Sequence, residues 1–220
     1  PPLDPPPKAF VPGQPIQVEL VNAQIPNLPR VWFVSADERR IIQVQRDRFH
    51  FNWRKTEKAD EYPRFPAVYS GFTEKLNAFQ AFTQKSNGVT PKPLQYELTY
   101  VNHIPLGDVS NDFGGVQCVF PDLGWRNDEG RFLPNPSGFQ WDAQFVIPEA
   151  GSVMQAKVRS ARSKETGEPL LILDYAVRGP ADILPMDDWF QLARKWIVNG
   201  FADMIDNDMQ KTVFKRKEGE

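Results

Sequence analysis

Hydrophobic and polar residues alternate strictly over residues 48–54, and this alternation is the clearest pattern in the chain. Phe49, Phe51 and Trp53 occupy every second position, with polar residues between them. A period of two is typical of a strand with one buried face and one polar face. The segment therefore predicts a half-buried strand whose polar side is a candidate surface.

Similar patterns predict the other strands. A hairpin is expected first, followed after a helix by longer strands with turn residues between them. A short strand is also expected inside a long irregular loop over residues 105–138. The predicted strands are 30–34 and 41–45 for the hairpin, then 95–104, 116–120, 139–147, 153–160 and 170–178.

Apolar residues three and four positions apart predict two long helices. The first begins at Pro66 and ends at Ser86-Asn87-Gly88, with the apolar stripe Val68, Phe72, Leu76, Phe79 and Phe82. The second begins near Asp187, whose carboxylate is expected to cap the free amides. Its stripe is Trp189, Leu192, Ala193, Trp196, Ile197, Met204 and Ile205, expected to pack on the sheet against some of Tyr96, Leu98, Tyr100, Phe145, Leu171 and Ile172.

The order of these elements predicts an α+β fold. We expect one antiparallel, mostly meander sheet of about six to eight strands, with two long helices packed on one face. Residues 1–29 hold nine of the 21 prolines, which favours an extended arm in which Ile16–Leu20 could pair as an edge strand. A single α+β domain is expected over residues 30–210, followed by a charged tail over 211–220.

Size and composition narrow the class of protein. A chain of 220 residues and 25.2 kDa suits one domain with an arm. A net charge of −2 and a pI near 5.8 exclude a globally basic nucleic-acid binder, although not a local basic patch. Cys118 is the sole cysteine, so no internal disulfide can form. With no secretory signal and no apolar run of membrane-spanning length, the sequence predicts a cytoplasmic protein with no membrane association.

Six segments stand out in order along the chain: PRVWF (29–33), IIQVQ (41–45), RDRFHFNWR (46–54), YPR (62–64), ELTYVNHI (97–104) and WIVNGF (196–201). Together they resemble an uncharacterised, sporadically distributed family of bacterial proteins with no established function. The resemblance implies a fold and a bacterial cytoplasmic setting, and it carries no catalytic residues. The resemblance also implies a strand and helix before the arm, which are not in the sequence given, and in many members a methionine-histidine pair where this chain has Met209-Gln210.

The most basic part of the chain is residues 39–64, with eight basic and four acidic residues, a net +4. Basic residues among aromatic ones can hold phosphates and stack on bases. Alternatively, the aromatic residues form the core and the arginines a solvated face. The candidate binding residues are Arg46, Arg48, His50, Asn52, Trp53, Arg54 and Arg64, with Asn102 and His103 from a later strand; Lys157, Arg159, Arg162 and Lys164 extend the patch only if they share its face.

Asn102 lies on the inward register of its strand, where a buried amide must find hydrogen-bond partners. We therefore expect a structural role for Asn102, fixing the backbone near Pro105.

Catalytic and metal chemistry have little support in the sequence. His50 and His103, the two histidines, stand 53 positions apart, whereas a zinc site needs three or four ligands, usually closely spaced. Cys118 lacks the local signature of a nucleophile, and no phosphate-binding glycine loop or nucleophile elbow is present. We assign no catalytic residue, no metal ligand and no cofactor.

The leading hypothesis is a non-enzymatic binding or interaction module that serves as an accessory component of a larger bacterial system. Its unidentified protein partner is expected to contact the polar sheet face and the loop over 105–138, since loops on a rigid sheet commonly carry recognition. One alternative is nucleic-acid or nucleotide binding through the basic and aromatic face. A second alternative is a hydrolase-type enzyme with His103 or His50 as general base.

Overall fold

The computed structural model describes residues 30–57, 59–106, 112–125, 130–164 and 166–212. They form an α+β fold with two antiparallel sheets, and they group into two compact units, one through Lys92 and the other from Pro93. The predicted arm, including Ile16–Leu20, and most of the charged tail lie outside the described residues. The single domain expected over 30–210 stays a prediction.

The first unit contains a three-stranded meander and one long helix. Its strands are β1 (Val31–Val34), β2 (Arg40–Val44) and β3 (Phe49–Trp53), in the spatial order β1-β2-β3. Both pairs are antiparallel, with Phe33 opposite Ile42 and Ile42 opposite Phe51. The helix α1 follows at Arg64–Asn87. The predicted hairpin and the strand over 49–53 are therefore confirmed.

Helix α1 packs on β3 through aromatic side chains. The ring of Phe49 lies 6.2 Å from that of Phe72 and 5.3 Å from that of Phe79, measured between centroids. Gly71 allows the close approach of the helix, because a Cβ there would lie 2.8 Å from Cζ of Phe51. Two of the five predicted stripe residues thus face β3, but the prediction is wrong at Phe82, whose side chain is exposed.

Helix α1 ends where its sequence predicts. Gly88 adopts a left-handed conformation with φ of 71°, and its N–H donates to the carbonyl of Gln84 at 3.0 Å. This conformation costs glycine little because it has no Cβ. The predicted Ser86-Asn87-Gly88 terminus is confirmed.

The second unit contains a four-stranded antiparallel sheet in the order β4-β7-β6-β5. Its strands are β4 (Gln95–Pro105), β5 (Gln140–Ile147), β6 (Ser152–Arg162) and β7 (Pro169–Pro180). Two helices follow, α2 (Met186–Met204) and the short α3 (Asn207–Thr212).

Helix α2 packs on one face of this sheet, and the side chains between the helix and the sheet form the core of the unit. Trp189 and Ile197 are each 1% exposed, and the Tyr96 ring on β4 lies 5.4 Å from the Trp189 ring. The indole N–H of Trp189 donates to Oγ of Ser152 at 3.0 Å. The predicted packing of the α2 stripe on the sheet is confirmed at Tyr96.

The arrangement of the strands differs from the expected single sheet. The described residues form seven strands, divided into sheets of three and four, and α1 and α2 each pack on a different sheet. Strand β4 joins β7 along its whole length, from Gln95 opposite Pro180 to Pro105 opposite Leu170, and the described pairings link β1, β2 and β3 only to one another. The prediction of one sheet with both helices on one face is therefore wrong, while the α+β class and the antiparallel pairing are confirmed.

The prediction of a strand at 116–120 is also wrong, because Phe113–Cys118 forms a 3-10 helix. Phe113, Val116 and Val119 are buried there. Their spacing of three matches the three residues per turn of a 3-10 helix, which places them on one side. A short apolar run of this kind fits a strand and a helical turn equally well.

The expected side-chain cap of α2 is absent. Pro185 holds the N-cap position without a side-chain hydrogen bond, and Asp187 lies inside the first turn with Asp188. Their carboxylates complement the partial positive charge of the helix N-terminus. None of the described helices combines the length and the apolar character that crossing a membrane requires.

Candidate functional site

Strand β1 is an edge strand with exposed apolar side chains. Val31 and Phe33 share one face of the sheet with Ile42 and Phe51, while Trp32 and Val34 lie on the other face. All four residues of β1 are exposed, and the exposed fraction reaches 53% at Trp32 and 58% at Phe33.

The outer edge of β1 also presents backbone hydrogen-bonding groups. The N–H of Ser35 donates to the carbonyl of Arg40 at 2.9 Å. In an antiparallel ladder the hydrogen-bonded pairs alternate, so Phe33 and Val31 bond to β2. The N–H and C=O groups of Trp32 and Val34 consequently point away from β2, along the free edge of the described sheet.

The position of α1 explains why Val31 and Phe33, the β1 side chains on the α1 face of the sheet, are exposed. The helix contacts β3 through Phe72, Phe79 and Gly71, at the opposite edge of the sheet from β1. Two strand spacings separate β1 from β3 by about 10 Å, nearly the full width of a helix. One helix placed over β3 therefore leaves β1 uncovered.

The predicted binding residues of the first unit lie along β3 and its flanking turns. Arg46 is exposed in the turn between β2 and β3. His50 and the exposed Asn52 are on the face of the sheet away from α1, since Phe49 and Phe51 occupy the α1 face. Sequence alternation thus assigned the two faces of β3 correctly.

Several of these residues contact neighbouring groups within the unit. Arg48 faces Asp47 at 3.7 Å, and Arg54 donates to the Glu38 carbonyl at 2.8 Å and approaches the Glu38 carboxylate at 3.3 Å. The ring of Trp53 meets that of Tyr62 edge-on at 5.3 Å. Exposed ion pairs of this kind contribute about 0–1 kcal/mol, but they offset part of the local positive charge.

Arg64 opens α1 with an exposed side chain and a backbone φ of 69°. A left-handed conformation is uncommon for a residue with a Cβ. It sets the direction in which the chain enters the helix after Pro63.

Asp60 is a buried carboxylate in the segment between β3 and α1. Its side chain is 2% exposed and forms an ion pair with Arg39 at 2.5 Å. The N–H groups of Thr56 and Glu57 donate to the Asp60 carboxylate at 2.9 and 3.0 Å. These backbone hydrogen bonds, first that of Thr56, and the charge of Arg39 lower the pKa of Asp60 to about 2. No pattern in the sequence predicts that Asp60 is buried.

Asn102 and His103 lie on β4 in the second unit, on opposite faces of the sheet. Asn102 is opposite Leu173 on the α2 face, as its predicted inward register requires. His103 is opposite Ile172 on the other face and is exposed. Asn102 and His103 therefore do not lie on a common face of the sheet. Both residues also belong to a different sheet from β3, which carries His50 and Asn52.

The face of the second sheet that bears His103 carries charged side chains around a cavity of about 370 Å³. Its charged side chains form pairs across strands: Arg178 with Glu97 at 2.8 Å, Arg159 with Asp174 at 3.5 Å, and Lys157 with Asp142 at 3.5 Å. Lys157 and Arg159 thus belong to the second sheet, where the carboxylates of Asp142 and Asp174 offset part of their charge. The cavity is lined by Glu97, Thr99, Val101, Gln155, Lys157, Arg159, Asp174, Ala176 and Arg178.

In the part of the chain that the structure describes, no group of three or more His, Cys, Asp or Glu side chains could hold a metal ion. His50 belongs to the first unit and His103 to the second. Cys118 is exposed at the end of the 3-10 helix.

No pattern in the sequence predicts that β1 is a candidate site. An uninterrupted apolar run is typical of a strand buried on both faces, so the pattern VWFV carries no signal of exposure. The chain has no match among family models, curated proteins or solved structures. The family resemblance stays an expectation, and the case for a function rests on the geometry of β1.

Proposed function

We propose that this protein is a non-enzymatic binding module, an accessory component that contacts another polypeptide through the edge of its three-stranded sheet. The supporting observation is the exposed apolar edge strand β1. The contact is made by strand addition, in which an extended segment pairs with the backbone of Trp32 and Val34.

Edge strands of soluble proteins are usually protected by charged residues, proline or a covering element. Val31–Val34 contains neither a charged residue nor proline, and all four of its side chains are exposed. Clustered exposed apolar side chains mark interaction sites. In strand addition the backbone hydrogen bonds supply affinity, and alternate side chains supply specificity.

Substitution of Phe33 tests this proposal, because its side chain is 58% exposed. A tagged full-length protein, used as bait in an extract of its native source, should recover a partner polypeptide that Phe33→Lys fails to recover. The matched control is Phe82→Lys, which changes an aromatic side chain of the same unit that is 66% exposed on α1. The control should recover the partner at the wild-type level.

Circular dichroism spectra that match among the three proteins make the comparison valid. Recovery of the same partner by Phe33→Lys would contradict the assignment of the contact to β1. Turnover of a metabolite by the purified protein, with no partner recovered, would contradict the non-enzymatic role.

The two alternative functions have weaker support. Stacking on nucleic-acid bases needs open aromatic faces, whereas Phe49 packs on Phe72 and Phe79. Arg54 approaches the Glu38 carboxylate, which reduces the charge available to phosphates. A hydrolase with His103 or His50 as general base has no comparable observation in its favour.

A further inference from the structure

We infer that the strand added to β1 is the β1 of a second copy of this chain, in antiparallel orientation. This inference rests on the proposed function, because it identifies the occupant of the same edge. It joins two three-stranded sheets into one continuous sheet across a two-fold axis.

The hydrogen-bonding pattern of the free edge selects the register. The outward groups belong to Trp32 and Val34. Antiparallel strands exchange paired bonds between directly opposite residues. Placing Trp32 opposite Val34 of the second copy satisfies every outward N–H and C=O group of both β1 strands. The two-fold axis then passes between the two Phe33 residues.

The side chains of β1 match each other in this register. The strand reads aliphatic, aromatic, aromatic, aliphatic from either end. Trp32 therefore lies beside Val34 of the second copy on one face, and the two Phe33 side chains meet on the other. Directly opposite apolar and aromatic pairs are the units that stabilise antiparallel sheets. Such self-complementarity is what a two-fold interface requires.

The charges that flank β1 also favour an antiparallel copy. Arg30 precedes the strand, and the exposed residues Asp37 and Glu38 lie in the turn that follows it. An antiparallel arrangement brings Arg30 of one copy towards Asp37 and Glu38 of the other, two carboxylates that also contact Arg40 and Arg54 of their own chain. A parallel arrangement would align Arg30 with Arg30, which is unfavourable.

Sedimentation of the full chain across a wide range of concentrations tests the inference. With increasing concentration the mass of the wild type should rise from 25.2 kDa to twice that value, as should that of Phe82→Lys. Phe33→Lys should stay at the chain mass. Val34→Pro should also stay there, since proline removes an N–H that points away from β2 and so spares the ladder with β2.

Amide hydrogen exchange distinguishes the possible occupants of the edge. Pairing with a second copy predicts that exchange at Trp32 and Val34 slows as the protein concentration rises. Slow exchange at all concentrations in a protein of chain mass would mean that a segment of the same chain covers the edge, and it would overturn the inference. A dimer that persists in both β1 variants would do the same.

These experiments can contradict the second copy as occupant without contradicting the proposed binding module. If the wild type has the chain mass at every concentration and Phe33→Lys loses a partner that Phe82→Lys retains, the occupant is a different polypeptide. The binding module then stands, and the second copy is excluded. If Phe33→Lys and Val34→Pro change neither mass nor partner recovery, both proposals are wrong.

Discussion

Asp60 shows how a single side chain can order a segment that has no regular structure. One carboxylate oxygen accepts hydrogen bonds from the N–H groups of Thr56 and Glu57 and from the Thr56 hydroxyl. The other oxygen pairs with Arg39, which precedes β2. Asp60 therefore fixes the segment between β3 and α1 to the hairpin.

The pKa of Asp60 makes this contribution depend on pH. Hydrogen bonds and Arg39 lower the pKa from the ordinary 3.8 to about 2. As the pH falls, the Asp60 carboxylate is therefore protonated in the unfolded chain before it is protonated in the folded protein. The contribution of Asp60 to the free energy of unfolding is complete above pH 3.8 and is lost as the pH falls towards 2. Urea unfolding at several pH values should show that wild type is more stable than Asp60→Asn at pH 5. Because Asp37 and Glu74 also have lowered pKa values, the comparison with Asp60→Asn isolates this group. A stability difference that stays constant from pH 5 to pH 2 would contradict the prediction.

A second polar contact lies inside the core of the other unit. Ser152 donates to the Ala150 carbonyl at 2.9 Å while it accepts the indole N–H of Trp189. Gly179 lies directly beside this pair, and a Cβ at that position would overlap Oγ of Ser152. The polar atoms of Trp189 and Ser152 are thus satisfied only because β7 carries glycine there.

Helix α2 carries two tryptophans that differ in burial, so that substituting each one tests how the helix packs. Trp189 is 1% exposed, contacts the Tyr96 and Phe190 rings and donates a buried hydrogen bond. Trp196, on the same helix, is only partly buried. Trp189→Ala should lower the free energy of unfolding by about 3–5 kcal/mol, and Trp196→Ala should lower it by less. Urea denaturation measures both. An equal or larger loss at Trp196 would mean that the helix packs through a different face.

Local patterns predicted most of the elements. Alternation predicted β3, β4 and β5, turn residues placed β6 and β7, and Gly88 marked the end of α1, because each of these features depends on neighbouring residues alone. The partner of each strand could not be predicted, since β4 and β7 are far apart in sequence and many pairings bury the same apolar residues. The single expected sheet was wrong for that reason.

The candidate site was harder to predict than the fold. The apolar character of β1 was visible in the sequence, but the exposure of Val31 and Phe33 depends on where α1 packs. That packing rests on Gly71 and on the aromatic side chains of β3 and α1. Exposure of an apolar strand is a property of the assembled unit, and no local pattern reports it.

The two units bury very different numbers of apolar side chains. Of the described apolar residues that are buried, only Ile41 and Phe65 belong to the first unit. In the second unit several large side chains are almost completely buried, among them Trp189, Tyr175 and Phe120. Small units with few buried side chains are marginally stable. The first unit should therefore open more readily than the second.

Hydrogen exchange on one central strand of each sheet, β2 and β7, measures this difference. Both strands are paired on each side, so their amides are comparable. The amides of β7 should exchange through global unfolding, at about 5–15 kcal/mol, and those of β2 through a local opening of lower free energy. Trp189→Ala should accelerate exchange in β7 and leave the opening of β2 unchanged. Equal opening free energies that fall together in Trp189→Ala would instead mean that residues 30–210 unfold as one domain, as the sequence predicts.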